Sequence, residues 1–139
     1  MDAVMYLRSG RPNQADILRQ REACKALAHQ HGCELTDSYT DLGRTRLALR
    51  ALTDEAATGR FSAVFVCGLS RIGRTLPEFT RTTETLREAG CTLYDAATGT
   101  VFEPESTSTR FVLGVLGVLA EIDGERIERE RRARRAHTR

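Results

Sequence analysis

The feature that most restricts the fold of this chain is the alternation of short apolar runs with segments of helical spacing. Strand-like runs lie at 2–7, 33–40, 61–68 and 91–95, a short extra run lies at 99–104, and helical patterns lie between them at 15–31, 47–59 and 77–88. Strands that alternate with helices are joined by right-handed crossovers, which make the strands parallel and cover both faces of the sheet. We therefore predict an α/β fold with a mainly parallel sheet of four to five strands flanked by helices.

The C-terminal segment has a different pattern. Ser106 or Thr107 can cap a helix, and no turn signal follows. The first half of this helix is apolar over more of its surface than one buried stripe requires, and the second half is rich in arginine. We therefore divide the chain into an α/β unit at 1–105 and a long helix at 106–139, with 107–122 as the interface of a homodimer.

The net charge of +2 is unevenly distributed, because seven arginines and four carboxylates lie from Asp123 onward. Lys25 is the only lysine of the chain, and the planar guanidinium of arginine suits bidentate contacts with phosphate. An apolar helix base followed by an arginine-rich end favours a dimer that contacts nucleic acid. The predicted contacts to nucleic acid are made by Arg126, Arg129, Arg131, Arg132, Arg134 and Arg135.

Several classes of protein are disfavoured by the cysteines and by the apolar segments. The four cysteines are widely spaced, without a CxxC pair or a nearby histidine cluster, which argues against a metal site. None of them is followed six residues later by the arginine that a phosphatase loop requires. No segment has the length of a membrane span or the pattern of a signal peptide. The sequence predicts a cytoplasmic protein that needs no metal and no membrane.

The loops that follow the predicted strands share one residue type. In open α/β folds, ligands and reacting groups collect at the carboxyl ends of the strands. The corresponding loops at 8–14, 41–46 and 69–75 each contain arginine. The sequence therefore predicts that guanidinium groups from three loops meet at one edge of the sheet.

Four separate segments of the chain match one family in order and spacing. They are Tyr6, Arg8 and Gln14 near the start, Tyr39 and Asp41 at the end of the second strand with the helix RLALRALTDEAATGRF at 46–61, the segment LSRIGR at 69–74, and the long helix FVLGVLGVLAEIDGERIERER at 111–131. Single pieces of this kind are weak signals, but four in the right order are specific. The chain resembles the catalytic domain of serine site-specific recombinases of the resolvase and invertase group over essentially its whole length.

This resemblance implies a chemistry and a set of residues. In such a recombinase a serine hydroxyl attacks a DNA phosphodiester and forms a phosphoseryl bond, while arginines neutralise the charge on the phosphate oxygens. The resemblance assigns the arginine role to Arg8, Arg46, Arg71 and Arg74. It also implies that no cofactor takes part, and that dimers pair into tetramers.

The position of the nucleophile departs from the family pattern. Gly10 stands where the attacking serine belongs, and Ser9, the candidate nucleophile, comes one residue early. Along an extended strand, a shift of one residue sends the side chain to the opposite face. Three further departures are Ser70, in place of an aspartate, a shortened turn at 42–45, and Gly124, at a helix position that is often basic in the family. Together they predict an impaired catalytic apparatus on a retained scaffold.

Two functions remain open from the residues alone. One is a recombinase in which Ser9 attacks the phosphodiester, and the other is a non-catalytic DNA-associated or assembly protein that keeps the recombinase fold. A small nucleotide-binding α/β protein is disfavoured, because the chain lacks a glycine-rich phosphate loop. The fold by itself does not establish activity.

Overall fold

Five strands and three helices form the α/β unit. The computed structural model describes residues 2–11, 13–73, 75–104, 117 and 130–135. In chain order the elements are β1 (Asp2–Ser9), α1 (Gln14–Gln30), β2 (Glu34–Leu42), α2 (Leu47–Ala57), β3 (Ala63–Val66), a 3₁₀ helix (Leu69–Ile72), α3 (Leu76–Glu88), β4 (Thr92–Asp95) and β5 (Thr100–Phe102). The strands lie in the order β2-β1-β3-β4-β5, and only the β4–β5 pair is antiparallel. The predicted fold class is confirmed.

The two faces of the sheet are covered by different helices. Alternate residues of β1 point to opposite faces. Val4 and Tyr6 pack with the buried residues of α2 and α3, whereas Met5 and Leu7 pack with those of α1, such as Cys24. The central strand β1 is therefore buried on both sides, as parallel sheets generally are.

Strands β1 and β2 are longer than the sequence pattern indicates. Their ladder continues to the pair Ser9 and Leu42, so that Arg8 lies at the end of a strand and not in the predicted loop. Asp41 likewise lies within β2. The polar side chains at this end indicate a loop in the sequence. The backbone ladder between the two strands nevertheless holds these residues in extended conformation.

Most of the predicted C-terminal helix at 106–139 lies outside the described residues. The exceptions are Gly117, within the predicted interface at 107–122, and the segment 130–135. Gly117 and this segment are helical. The division at 105/106 and the dimer therefore stay predictions.

Gly73 is required by a close approach between the segment after β3 and helix α3. A methyl group at this position would lie 2.6 Å from the backbone N and Cα of Phe79. Its backbone is extended, so any residue could adopt the conformation, and space alone demands glycine. We expect Gly73→Ala to lower the free energy of unfolding by about 1–3 kcal/mol, because backbone atoms cannot move aside cheaply.

Urea denaturation of the two proteins measures this loss. Gly10→Ala is the matched control, because Gly10 has no atom within 4 Å of the added methyl group and no positive φ. We expect its free energy of unfolding to stay within about 0.5 kcal/mol of the unmodified chain. Equal stabilities for the two variants would contradict the close packing at Gly73.

Candidate active site

The end of strand β1 is held by a side chain and not by the neighbouring strand. Strand β3 pairs with β1 only as far as Tyr6, which lies opposite Val66. Beyond that point the buried Gln20 of α1 accepts a hydrogen bond from Arg8 N (3.0 Å) and donates one to Arg8 O (2.8 Å). Gln20 thus substitutes for a strand, because buried backbone groups need partners. This role of Gln20 was not predicted from the sequence. The available signal was the position of Gln20 one turn after Ile17, on the helix face towards the sheet.

Arg71 connects the ends of β1 and β3. It lies in the 3₁₀ helix after β3, where its Nε donates to Cys67 O (2.7 Å) and its Nη1 donates to Arg8 O (2.7 Å). Asp16 Oδ2 lies 3.7 Å from the same Nη1. The structure therefore brings Arg8 and Arg71 together at the carboxyl edge of the sheet. Nη2 of Arg71 donates no hydrogen bond to a described residue.

Asp41 holds the start of helix α2 from a neighbouring strand. The cap position of α2 is Arg46, whose side chain has no oxygen to accept from the first turn. Asp41 accepts instead, with Oδ1 from Ala48 N (2.9 Å) and with Oδ2 from Leu49 N (3.1 Å). The sequence analysis missed this capping, and the signal was a helix that begins without a capping residue of its own.

The same carboxylate binds Tyr6. The Tyr6 hydroxyl donates to Asp41 Oδ2 (2.7 Å), and both residues are buried. Burial and the carboxylate raise the pKa of Tyr6 well above its usual value, and the nearby positive charge of Arg46 offsets only part of that rise. The hydroxyl therefore stays protonated at neutral pH, which excludes Tyr6 as an attacking oxyanion.

Arg46 lies between α2 and α3. Its Nε forms an ion pair with Glu78 of α3 (3.1 Å), and its side chain is 16% exposed. Its Nη1 and Nη2 are buried and make no hydrogen bond within the described part of the chain. Arg46 thus presents two donor groups that make no hydrogen bond there, although its charge acts on the nearby Tyr6 hydroxyl.

Ser9 is turned away from the group formed by Tyr6, Asp41 and Arg46. Its side chain is buried on the face of Leu7, opposite to that of Tyr6 and Arg8, and its hydroxyl donates to the backbone carbonyl of Arg11. Gly10 is exposed, with open space where a side chain would stand. The hydroxyl nearest to the motif position is therefore occupied by a local hydrogen bond.

The thiols near this edge are poor nucleophiles. Burial raises the pKa of Cys24 to about 12, with a smaller contribution from Cys67. Burial also raises the pKa of Cys67, although Arg71 partly offsets the rise. Because the thiolate is the reactive form, neither cysteine competes for a nucleophilic role at neutral pH.

The remaining predicted residues fall into three groups. Ser70 is exposed on the 3₁₀ helix. Arg74, Arg126 and Arg129 lie outside the described residues. The other tail arginines, Arg131, Arg132, Arg134 and Arg135, are helical and exposed. Within the described residues no cluster of histidine, cysteine and carboxylate side chains has the form of a metal site, and no helix there has the length and apolarity to cross a membrane.

The family described as Resolvase, N terminal domain, matches residues 3–139, whereas no curated protein sequence matches this chain. A resolvase family site-specific recombinase from Streptococcus pneumoniae is 23% identical, with a TM-score of 0.69 over 92% of this chain and 91% of that chain. The N-terminal catalytic domain of TP901-1 integrase is 20% identical, with a TM-score of 0.71 over 90% and 98%. The C-terminal catalytic domain of ISC1926 TnpA, an IS607-like serine recombinase, is 17% identical, with a TM-score of 0.63 over 90% and 84%. At these identities the likeness is one of fold.

Proposed function

Since this chain belongs to the family of resolvase N-terminal domains, we propose that it binds DNA phosphodiesters at the carboxyl edge of its sheet, as a recombinase-type domain whose nucleophile is impaired. The observation that carries the proposal is the meeting of Arg71 with the strand end at Arg8. Arg46 stands close to Tyr6, on the face of the strand that Tyr6 shares with Arg8. In this proposal Arg8, Arg46, Arg71 and Arg74 neutralise the charge of one phosphate group.

The geometry of the arginines supports binding of an anion at this edge. Arg71 uses Nε and Nη1 to join two strand ends, which fixes its guanidinium plane and leaves Nη2 to meet a phosphate oxygen. Asp41 fixes the start of α2 and with it the position of Arg46. Donors held in place before the ligand arrives lose little entropy on binding.

A non-catalytic DNA-associated protein is the second candidate, and the orientation of Ser9 favours it. The Ser9 hydroxyl is bonded to Arg11 O on the face of the strand away from Arg8, and Gly10 supplies no hydroxyl. Attack by Ser9 would require this segment to rearrange. The two candidates differ in whether a covalent protein–DNA adduct forms.

The proposed partners are double-stranded DNA and further copies of the chain. We place the homodimer interface at 107–122, from the apolar surface of that segment, and we expect two dimers to pair into a tetramer when DNA is bound. The proposed contacts outside the sheet edge come from the tail arginines, among which Arg131, Arg132, Arg134 and Arg135 are exposed. Such contacts to phosphate are insensitive to base sequence.

We expect the chain to bind duplex DNA weakly, without sequence preference and with strong salt dependence. Each neutralised phosphate adds about 0.9 to the slope of log affinity against log salt. Replacement of Arg131, Arg132, Arg134 and Arg135 by alanine should therefore make the slope less steep by roughly 4. Fluorescence anisotropy of a labelled duplex at several salt concentrations measures both quantities.

The control for this experiment is Arg60→Ala. Arg60 is 61% exposed in its side chain, pairs with Glu55 and precedes β3, at the end of the sheet opposite to the proposed site. We expect its loss to change the slope by much less than one unit. A flat salt response of the unmodified chain, or equal slopes for the tail variant and the unmodified chain, would refute the proposed DNA contacts.

A further inference from the structure

Helices α2 and α3 border a groove of about 660 Å³ on the face of the sheet that carries Tyr6. Among the described residues that line it, the positively charged ones are Arg44, Arg46, Arg50 and Arg81, and the one carboxylate is Glu78. Arginine stays protonated in proteins. The groove therefore carries three more positive charges than negative ones.

The exposed arginines of this groove are not paired with carboxylates of the described residues, unlike two exposed arginines elsewhere on the described surface. Arg19 pairs with Asp16, and Arg60 pairs with Glu55. Arg44, Arg50 and Arg81 are also exposed but make no ion pair within the described ranges. Their charges are thus left uncompensated along one concave surface, where like charges raise the local positive potential and attract anions.

The donors that point into the groove are guanidinium groups. The hydroxyls of Thr53, Thr82 and Thr85, which also line it, donate to carbonyls of their own helices. Arg46, in contrast, has two buried nitrogens without an acceptor among the described residues. A buried donor without a partner destabilises the folded chain, and a ligand with several acceptor oxygens would remove that cost.

We propose that this groove binds the phosphate backbone of a DNA strand that continues from the sheet edge past Arg46. Arg46 belongs to both the edge site and the groove, and Arg50 lies one turn further along α2, at a rise of about 6 Å. Arg81 lies one turn beyond Glu78 on the facing helix. A row of separate positive charges suits a polymer of phosphates better than a single small anion. This inference rests on the proposed function and extends it to a second set of residues.

The test compares two double variants of the full chain. Arg50→Ala/Arg81→Ala removes two exposed groove charges that lie outside the proposed catalytic set. Lys25→Ala/Arg60→Ala removes two exposed, ion-paired charges elsewhere. The binding of a labelled DNA duplex is measured between 50 and 200 mM NaCl, and inorganic phosphate is then added as a competitor at matched ionic strength.

If two phosphates lie in the groove, the groove variant has a salt slope that is less steep by about 2, so that the fourfold rise in salt weakens its binding about tenfold less than that of the unmodified chain. The control variant keeps the original slope, and inorganic phosphate displaces no more DNA than NaCl does. Equal slopes for the two double variants would overturn the groove. Displacement by inorganic phosphate that is lost in the groove variant would also overturn it, because the site would then hold a free anion.

The tail variant separates this inference from the proposed function. If the groove variant keeps the salt slope of the unmodified chain while the tail variant loses its salt dependence, DNA does not bind in the groove. The proposed DNA binding by the chain then still stands. If the unmodified chain binds no DNA at any salt concentration, both proposals fail.

Discussion

Incubated with supercoiled DNA under conditions that trap covalent intermediates, the unmodified chain is expected to form no covalent protein–DNA adduct. Gly10 has no hydroxyl, and the Ser9 hydroxyl is bonded to Arg11 O on the face of β1 away from Arg8. In-line attack needs the reacting atoms about 3 Å apart, and a misplacement of about 1 Å can cost on the order of a hundredfold in rate. The adduct is measured as a shift of the protein band on a denaturing gel.

The variant Gly10→Ser tests whether the nucleophile alone is missing. The structure leaves open space for its side chain and no positive φ opposes it, so we expect an adduct at the new hydroxyl. Gly10→Ala is the matched control, since it adds the same Cβ without the oxygen. If Gly10→Ser forms no adduct, the nucleophile is not the only catalytic group that is missing. Ser70 and the 42–45 turn are then the first residues to change.

The opposite result would come from Ser9. An adduct that forms with the unmodified chain and disappears in Ser9→Ala would make Ser9 the nucleophile. It would show that the segment around Ser9 rearranges when DNA binds. It would also contradict the proposal that the nucleophile is impaired. The non-catalytic candidate would then be excluded.

Replacement of Asp41 by alanine is expected to lower the free energy of unfolding by about 3–5 kcal/mol. The carboxylate accepts hydrogen bonds from the Tyr6 hydroxyl and from two backbone N–H groups at the start of α2, and it is buried. Each buried donor left without an acceptor costs about 1–3 kcal/mol. Because these bonds also place Arg46, the variant should bind DNA more weakly even at temperatures where it stays folded. Urea denaturation measures the stability.

Two further variants show whether this loss comes from the buried hydrogen bonds. Asp37 lies on the same strand as Asp41 at an exposed position. We expect Asp37→Ala to change the free energy of unfolding by no more than about 0.5 kcal/mol. Tyr6→Phe removes the hydroxyl that Asp41 accepts from. The double variant Tyr6→Phe/Asp41→Ala should lose less stability than the sum of the losses of the two single variants, by at least about 0.5 kcal/mol. The reason is that the hydrogen bond between Tyr6 and Asp41 is counted in both single losses. Strict additivity would contradict the coupling.

The element order was predictable from the sequence, because it depends on local patterns, and the site residues stay predictions that rest on the same patterns. Apolar runs separated by helical spacing led to the α/β fold, and the ends of the strands indicated where Arg8, Arg46 and Arg71 would lie. The missing hydroxyl at Gly10 is likewise a property of the sequence. Strand ends were less predictable, since Arg8 and Asp41 are held in β1 and β2 by a ladder between distant segments.

Only the tertiary structure decided how these residues are supported and what surrounds them. Gln20 replaces a missing strand partner beside Arg8, and Asp41 caps a helix that begins six residues after it. The arginine groove exists because α2 and α3 pack on the same face of the sheet. Each of these features joins residues that are distant in sequence, through burial and charge that no local pattern records. The sequence by itself thus determined which chemical groups are present, and packing decided which of them meet.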